Sequence, residues 1–301
     1  MKTGRALFAL AAFALLASCG DTGAAPAGTE PAVAAEAASP GGLEGAVAGN
    51  WRTEAEKARD QWRHPIETLT FFGVKPTDTV VEIAPGGGWY TAILGPWLKS
   101  GGGKLYAGHV DPTTSANAQA NVDAYKAAFV DHPETYGDIT LTVGSRASTG
   151  LAPDGTADAV LTFRNVHNWM AGGYADKIFA DAFRALKPGG VLGVEEHRLP
   201  SARDQDLTAS TGYVLESYVV QLAQNAGFVL EESSEINANP KDNADHPLGA
   251  GADQVAAEGG RPPDLAQDAV GVPGHVGRAG RRHPAGELAD DERTERRLRC
   301  A

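Results

Sequence analysis

Residues 80–94 read VVEIAPGGGWYTAIL, and the parsing of this stretch decides the fold. Val80, Val81 and Ile83 are β-branched neighbours that favour a buried strand, and the apolar residues from Trp89 onward suit a helix. Between them, Gly86, Gly87 and Gly88 let the backbone pass close to a ligand and lead into a helix start whose N–H groups lack partners. Glu82 stands in the strand among these apolar residues. A carboxylate is costly to bury unless a cation or hydrogen-bond donor meets it. The amino group of a ligand's amino-acid moiety would serve.

Outward from this stretch, further strands are expected at 104–109, 139–143, 157–163, 191–194 and 228–236. Helical patterns fall at 51–63, 65–72, 89–98, 116–130, 174–186 and 213–226. The first of these opens with Thr53 and carries Glu56 three residues on, the spacing of a capping box. In 174–186, Ile178, Phe179, Ala182, Phe183 and Leu186 share one face, and KPGG follows. Strands alternating with helices of crossover length imply an α/β fold, a mostly parallel sheet covered on both faces. Ligands of such sheets sit outside the carboxyl ends of the strands. Three strand ends here carry unusual chemistry and should converge: EIAPGGG, GHVDP and RNVHNW.

In RNVHNW, His167 is a candidate general base that would take a proton from an incoming nucleophile, with Asn165 beside it. The competing reading makes Asn165 or Asn168 the cap of a following helix and His167 a structural histidine. After the strand at 191–194 come Glu195, Glu196 and His197; alternation turns Glu196 away from the other two. Arg164, Asn168, Glu196 and His197 are candidates for the substrate side of a cleft. His167, Glu196 and His197 lack a recognised metal-ligand spacing, so no metal is assigned. INANPKDNADHP, residues 236–247, is expected either to close over the site or to cap the sheet edge.

The order E-x-A-x-G-x-G, then DAVLTF, then LKPGG before another strand resembles the class I S-adenosylmethionine-dependent methyltransferases. More narrowly, EIAPGGGWYT, LTFRNVHNW, LKPGGVLGVEEHR and SEINANPKDNADHP together are similar to a bacterial family of predicted, often exported methyltransferases, across residues 51–249. The resemblance implies a Rossmann-like, seven-stranded sheet with S-adenosyl-L-methionine lying over the glycine loop. It further implies contacts from Glu82, Ala84, Gly86 and Gly88, and methyl transfer to a small-molecule acceptor. Two positions depart from the family. Ala84 stands where the first glycine belongs, and His109 ends the second strand where a ribose-binding carboxylate is usual, with Asp111 two residues later. A dinucleotide fingerprint fits worse, because Thr91 occupies its third glycine position. A reading from another class also follows: a non-catalytic, envelope-anchored module that binds a small ligand on the same fold.

The ends of the chain bear on where it works. Lys2 and Arg5 precede an apolar run, residues 6–16, too short to span a bilayer. L-A-S-C at 16–19 resembles the bacterial lipobox, so residues 1–18 are expected to be a lipoprotein signal peptide and Cys19 the lipidated residue. Residues 19–50, without an aromatic side chain, read as a disordered tether. The protein is then exported, periplasmic or envelope-anchored, touching membrane only through that lipid. Its formal charge of −12 argues against a nucleic-acid partner, since phosphate binding draws on clustered Lys and Arg. Cys300 is the only other cysteine, so no disulfide framework braces the fold. From residue 249 the chain loses aromatic residues and periodicity, and 249–301 reads as a disordered tail of the kind a shifted reading frame near Gly249 would produce. On that expectation the domain, residues 51–248, lacks its last strand and keeps an unpaired sheet edge.

Overall fold

The computed structural model describes residues 41–245 and 296–301. Its centre is the strand Thr79–Ile83 (β1), buried on both faces beyond its first residue, as a strand between two helical layers must be. Parallel to it on one side lie Lys104–His109 (β2) and then Ile139–Val143 (β3), and on the other Ala157–Phe163 (β4) and Leu186–Glu195 (β5). Beyond β5 come Arg296–Cys300 (β7) and Phe228–Ser233 (β6), giving the order β3-β2-β1-β4-β5-β7-β6. Every neighbouring pair is parallel. The fold is therefore a seven-stranded Rossmann-like α/β sheet with helices on both faces.

One face is covered by Val166–Gly172 (α8), Ala175–Ala185 (α9) and Glu216–Ala226 (α10), whose Trp169, Ile178, Phe179, Leu222 and Ala223 pack on Val81, Val160, Leu192 and Leu298. The other is covered by Gly42–Ala48 (α1), Pro65–Phe71 (α4), Thr91–Gly101 (α5) and Ala116–Tyr125 (α6), the last running on as a wider π turn through Val130. A short helix, Pro133–Tyr136 (α7), leads into β3. Residues 51–63 form two turns of helix rather than one element, Glu54–Lys57 (α2) and Asp60–Arg63 (α3). The capping box is present as expected, with Thr53 and Glu56 bonding reciprocally. The break lies where buried Arg52 reaches up to grip Asp60 with two hydrogen bonds of 2.9 and 2.6 Å.

Two expectations about the ends of the domain are overturned. Residues 42–48 are not tether but helix α1, because Leu43, Ala46 and Val47 recur at helical spacing and are buried against the core; residues 1–40, with Cys19, lie outside the described residues. The tail is not wholly without structure either. Residues 296–300 fill the slot between β5 and β6, so the last strand is present and β5 has no unpaired edge. This strand runs parallel to both neighbours. Leu298 is fully buried, and the arginines around it are held at the rim: Arg297 and Arg299 on Glu231, Arg296 on the Leu186 carbonyl and over the Phe183 ring. Residues 246–295 lie outside the described residues. At other borders the elements differ by a few residues: β5 starts at Leu186 and takes in KPGG, α10 starts at Glu216 rather than 213, and β6 ends at Ser233 rather than 236.

Candidate functional site

The turn after β1 is built for close approach from above. Gly86 has φ +56° and Gly88 φ +81°, conformations in which L side chains are strained. A Cβ on Gly88 would fall 2.1 Å from the Phe129 ring, so that glycine is required by packing. A Cβ on Gly86 or Gly87 would meet nothing within 4 Å. Those two residues face open space at the carboxyl end of the sheet. Ala84 also adopts positive φ, +53°, which explains why a glycine is usual at this position. Ala84→Gly is expected to stabilise the fold by up to about 1 kcal/mol, strain relief outweighing the entropy of a freer unfolded chain. Thermal unfolding would show it, and a lower melting temperature would argue against strain at Ala84.

Glu82 is met by a hydrogen-bond donor of the protein itself. It is 2% exposed, turned beneath the start of α5, where the Thr91 hydroxyl donates to it at 2.6 Å and the Tyr125 hydroxyl lies 2.9 Å from that of Thr91. Burial pushes its pKa up to about 7, the Thr91 bond restraining the rise. A carboxyl raised on folding contributes stability that is full below its unfolded pKa and is lost as pH rises through the folded value. Stability should therefore fall between about pH 4.5 and 7 by roughly 3 kcal/mol from this group. Glu82→Gln should flatten that part of the profile, as read by urea unfolding at pH 5 and pH 8; an unaltered slope would show that Glu82 titrates normally.

His109, at the end of β2, is buried and lies edge-on to Tyr125, 5.2 Å between ring centres. Its Nδ1 accepts the Val110 N–H at 2.9 Å, so a neutral ring carries its proton on Nε2. That Nε2 is buried without a partner, with the Gly86 backbone beside the ring. Burial holds the imidazole below its usual pKa, against the pull of that backbone, and so keeps it neutral. Asp111 is turned elsewhere: its Oδ1 accepts from the backbone and hydroxyl of Thr113, which holds its pKa down.

The RNVHNW residues divide into three roles. Asn165 precedes α8 but its side chain does not cap it. Its amide instead donates across the strand ends, to the carbonyls of Phe163 at 3.1 Å and Ala84 at 3.3 Å, and so braces the glycine turn against β4. Arg164, at φ +61°, turns to Glu195, pairing at 2.5 Å. Burial raises the Glu195 pKa and Arg164 opposes it; Tyr90, stacked on Phe163 at 3.5 Å, donates to the same carboxylate. His167 pairs with Glu196, Nδ1 to Oε1 at 2.9 Å, and its backbone N–H also donates to that carboxylate. Burial alone would raise Glu196, but His167 and His197 bring it below the usual carboxylate range. Asn168 is exposed on α8, away from this cluster's hydrogen bonds.

The candidate residues thus gather at one end of the sheet without forming one pocket. A cavity of about 360 Å³ lies over the ends of β5, β7 and β6. Arg164, Glu196 and His197 line it, as do Asn237, Asn239 and Asp242 of the INANPKDNADHP loop, while the glycine turn, His109 and His167 do not. The loop is tied down by Tyr213 to Asp242 and by Asn237 to His64 and Thr68. His197 has no hydrogen-bond partner for its ring among the described residues, and burial takes its pKa to about 4. Sequence reasoning missed Thr91, Tyr125, Tyr90 and Trp62. Of these only Thr91 carried a signal, as the non-glycine that closes the GGGWYT turn.

Among curated proteins none matches this chain. Solved structures are similar to parts of it at low identity. CrArsM, an arsenic (III) S-adenosylmethionine methyltransferase from Chlamydomonas reinhardtii, is 18% identical over 52% of this chain and 53% of its own, with a TM-score of 0.37. The trans-methyltransferase CalH, in complex with SAH, is 16% identical over 57% and 52%, TM-score 0.40. The [4+2]-cyclase SpnF is 17% identical over 62% and 68%, TM-score 0.40. The match spans about half the length of the first two, and none of these likenesses bears on what this chain binds. From the third residue of β1, beneath the glycine turn, to Val194 just before the Glu195–Glu196–His197 cluster, residues 81–194 match the family model described as a methyltransferase domain.

Proposed function

We propose that the chain transfers a methyl group from S-adenosyl-L-methionine to a small-molecule acceptor. What carries this reading is that the segment matching a methyltransferase domain is the one that builds the open turn at Gly86 and Gly87, with the orphaned Nε2–H of His109 beside it. The residues present fit the group. The backbone from Ala84 to Gly88 would pass under the cofactor, and His109 would donate to a ribose hydroxyl where a carboxylate would otherwise accept. Glu82 supports the turn from below through Thr91. When bound, the cofactor supplies a methyl group on a sulfonium sulfur.

The acceptor then enters from the cavity side, past Arg164 and His197. His167 is the proton-handling group on this reading. Glu196 accepts from Nδ1–H, which fixes the ring and leaves the Nε2 lone pair as the acceptor of a proton. Asn165 is a positioning residue, since its bonds run to backbone and not toward the cavity. Transfer needs alignment of acceptor, methyl carbon and sulfur above all.

An exported, lipid-anchored location for this activity is part of the proposal and rests on residues 1–19. Irradiating the protein with S-adenosyl-L-methionine carrying a labelled methyl group, then mapping the labelled peptide, tests the cofactor site. Label on the peptide spanning residues 84–98 is expected; label confined to other peptides would contradict it.

A further inference from the structure

The cavity over β5, β7 and β6 has a chemistry that the methyl-transfer reading does not use. Glu195 is matched by Arg164, and Glu196 accepts a hydrogen bond from His167. Glu216 and Glu235 share one cation: Arg198 holds Glu235 at 2.5 Å and stands 3.7 Å from Glu216. Asp242 accepts from the Tyr213 hydroxyl and has no ion-pair partner among the described residues. All of these but His167 and Tyr213 line the cavity, which therefore carries an excess of negative charge. A concave site of one sign, with walls that exclude water, concentrates ligands of the other sign.

Two further features point the same way. His197 lines the cavity with an imidazole that has no hydrogen-bond partner among the described residues. Held neutral by burial, it offers a lone pair to an N–H donor without competing for the proton. At the mouth stands Trp62, 42% exposed, with no cation over its ring among the described residues; the indole that does carry arginines on its face is Trp89. An exposed indole face beside a negative cavity suits a cation. Val194, Val214 and Val219 give the wall an apolar stretch. About 360 Å³ falls at the small end of the ~300–1,000 Å³ typical of small-molecule sites.

We infer that this cavity binds a small organic ammonium, its charged nitrogen among Asp242, Glu216 and His197 and its apolar body along the valines. On the methyl-transfer reading, on which this step rests, the methyl acceptor is then an amine. The ammonium gives one N–H proton to His167, whose ring lies 5.8 Å from that of His197. The nitrogen lone pair so freed takes the methyl from the sulfonium, which leaves as a neutral thioether. The binding of the cation does not rest on that reading.

The test is calorimetric titration of the full chain with three probes of one shape: 2-phenylethylammonium, 2-phenylethanol and 3-phenylpropionate. The ammonium should bind at least about tenfold more tightly than the alcohol, and the carboxylate should not bind. Asp242→Asn should weaken the ammonium about tenfold, and Trp62→Ala about threefold to tenfold. Trp62 is exposed, so its variant stays folded and keeps the inference testable if the Asp242 variant does not. S-adenosylhomocysteine is titrated in parallel. Ammonium selectivity without S-adenosylhomocysteine binding would uphold the cavity assignment and remove the methyl-transfer reading. S-adenosylhomocysteine binding with no preference among the three probes would overturn the assignment and spare the methyl-transfer reading.

Discussion

A variant ending at residue 295 is expected to lose its folded state. Residues 296–300 pair with β5 through Arg297 to Cys300 and with β6 through Arg296 to Cys300, so the deletion removes two ladders at once. It also removes Leu298, fully buried against Leu192, Val194 and Phe228. Truncating a buried leucine to alanine costs about 2–5 kcal/mol on its own, against a total stability of roughly 5–15 kcal/mol for a domain. The deletion further strips partners from Glu231 and leaves β5 and β6 facing an open slot, a template for aggregation. Leu298→Ala is the milder companion. Its urea midpoint should fall in proportion to about 2–4 kcal/mol, with the slope little changed. If the shortened chain melts like the full one, the slot is not held by these residues, and the expectation of a tail outside the fold regains its ground.

The second large effect is expected at the glycine turn. Gly86→Asn places a side chain in the open space above the loop while leaving the fold intact, because asparagine tolerates positive φ better than other residues. Affinity for S-adenosylhomocysteine should drop about 100-fold, ~2.7 kcal/mol, with a melting temperature close to that of the parent. Gly88→Ala makes the contrast. Its Cβ runs into Phe129, so it should lower stability first and binding only as a consequence. A Gly86→Asn protein that binds the cofactor at full strength would mean that the ligand lies elsewhere.

The central half of the fold could be read from the chain because its physics is local. β1 to β4 are apolar or β-branched runs whose borders coincide with the observed strands, and the amphipathic stripe of α9 is repeated in its buried residues. The two ends were opaque for opposite reasons. In α1 three apolar residues are hidden among glycine and alanine, a composition that elsewhere signals a tether. In β7 a single leucine does the burying, and its arginine neighbours are accommodated only because Glu231, the Leu186 carbonyl and the Phe183 ring happen to lie beside them. No pattern within five residues announces such distant partners. The three chemistry-bearing strand ends do converge, as topology requires, but the side chains divide the work in ways that spacing could not reveal. Glu82 is satisfied by a hydroxyl nine residues on, Asp111 by its own turn, and Glu196 by His167 across two strand ends.

Calorimetric titration of S-adenosyl-L-methionine into the full chain tests the account at its centre. One site per chain with a micromolar dissociation constant, about −8 kcal/mol, is the predicted result. No heat of binding at millimolar ligand, from protein whose circular dichroism shows a folded α/β domain, would contradict it.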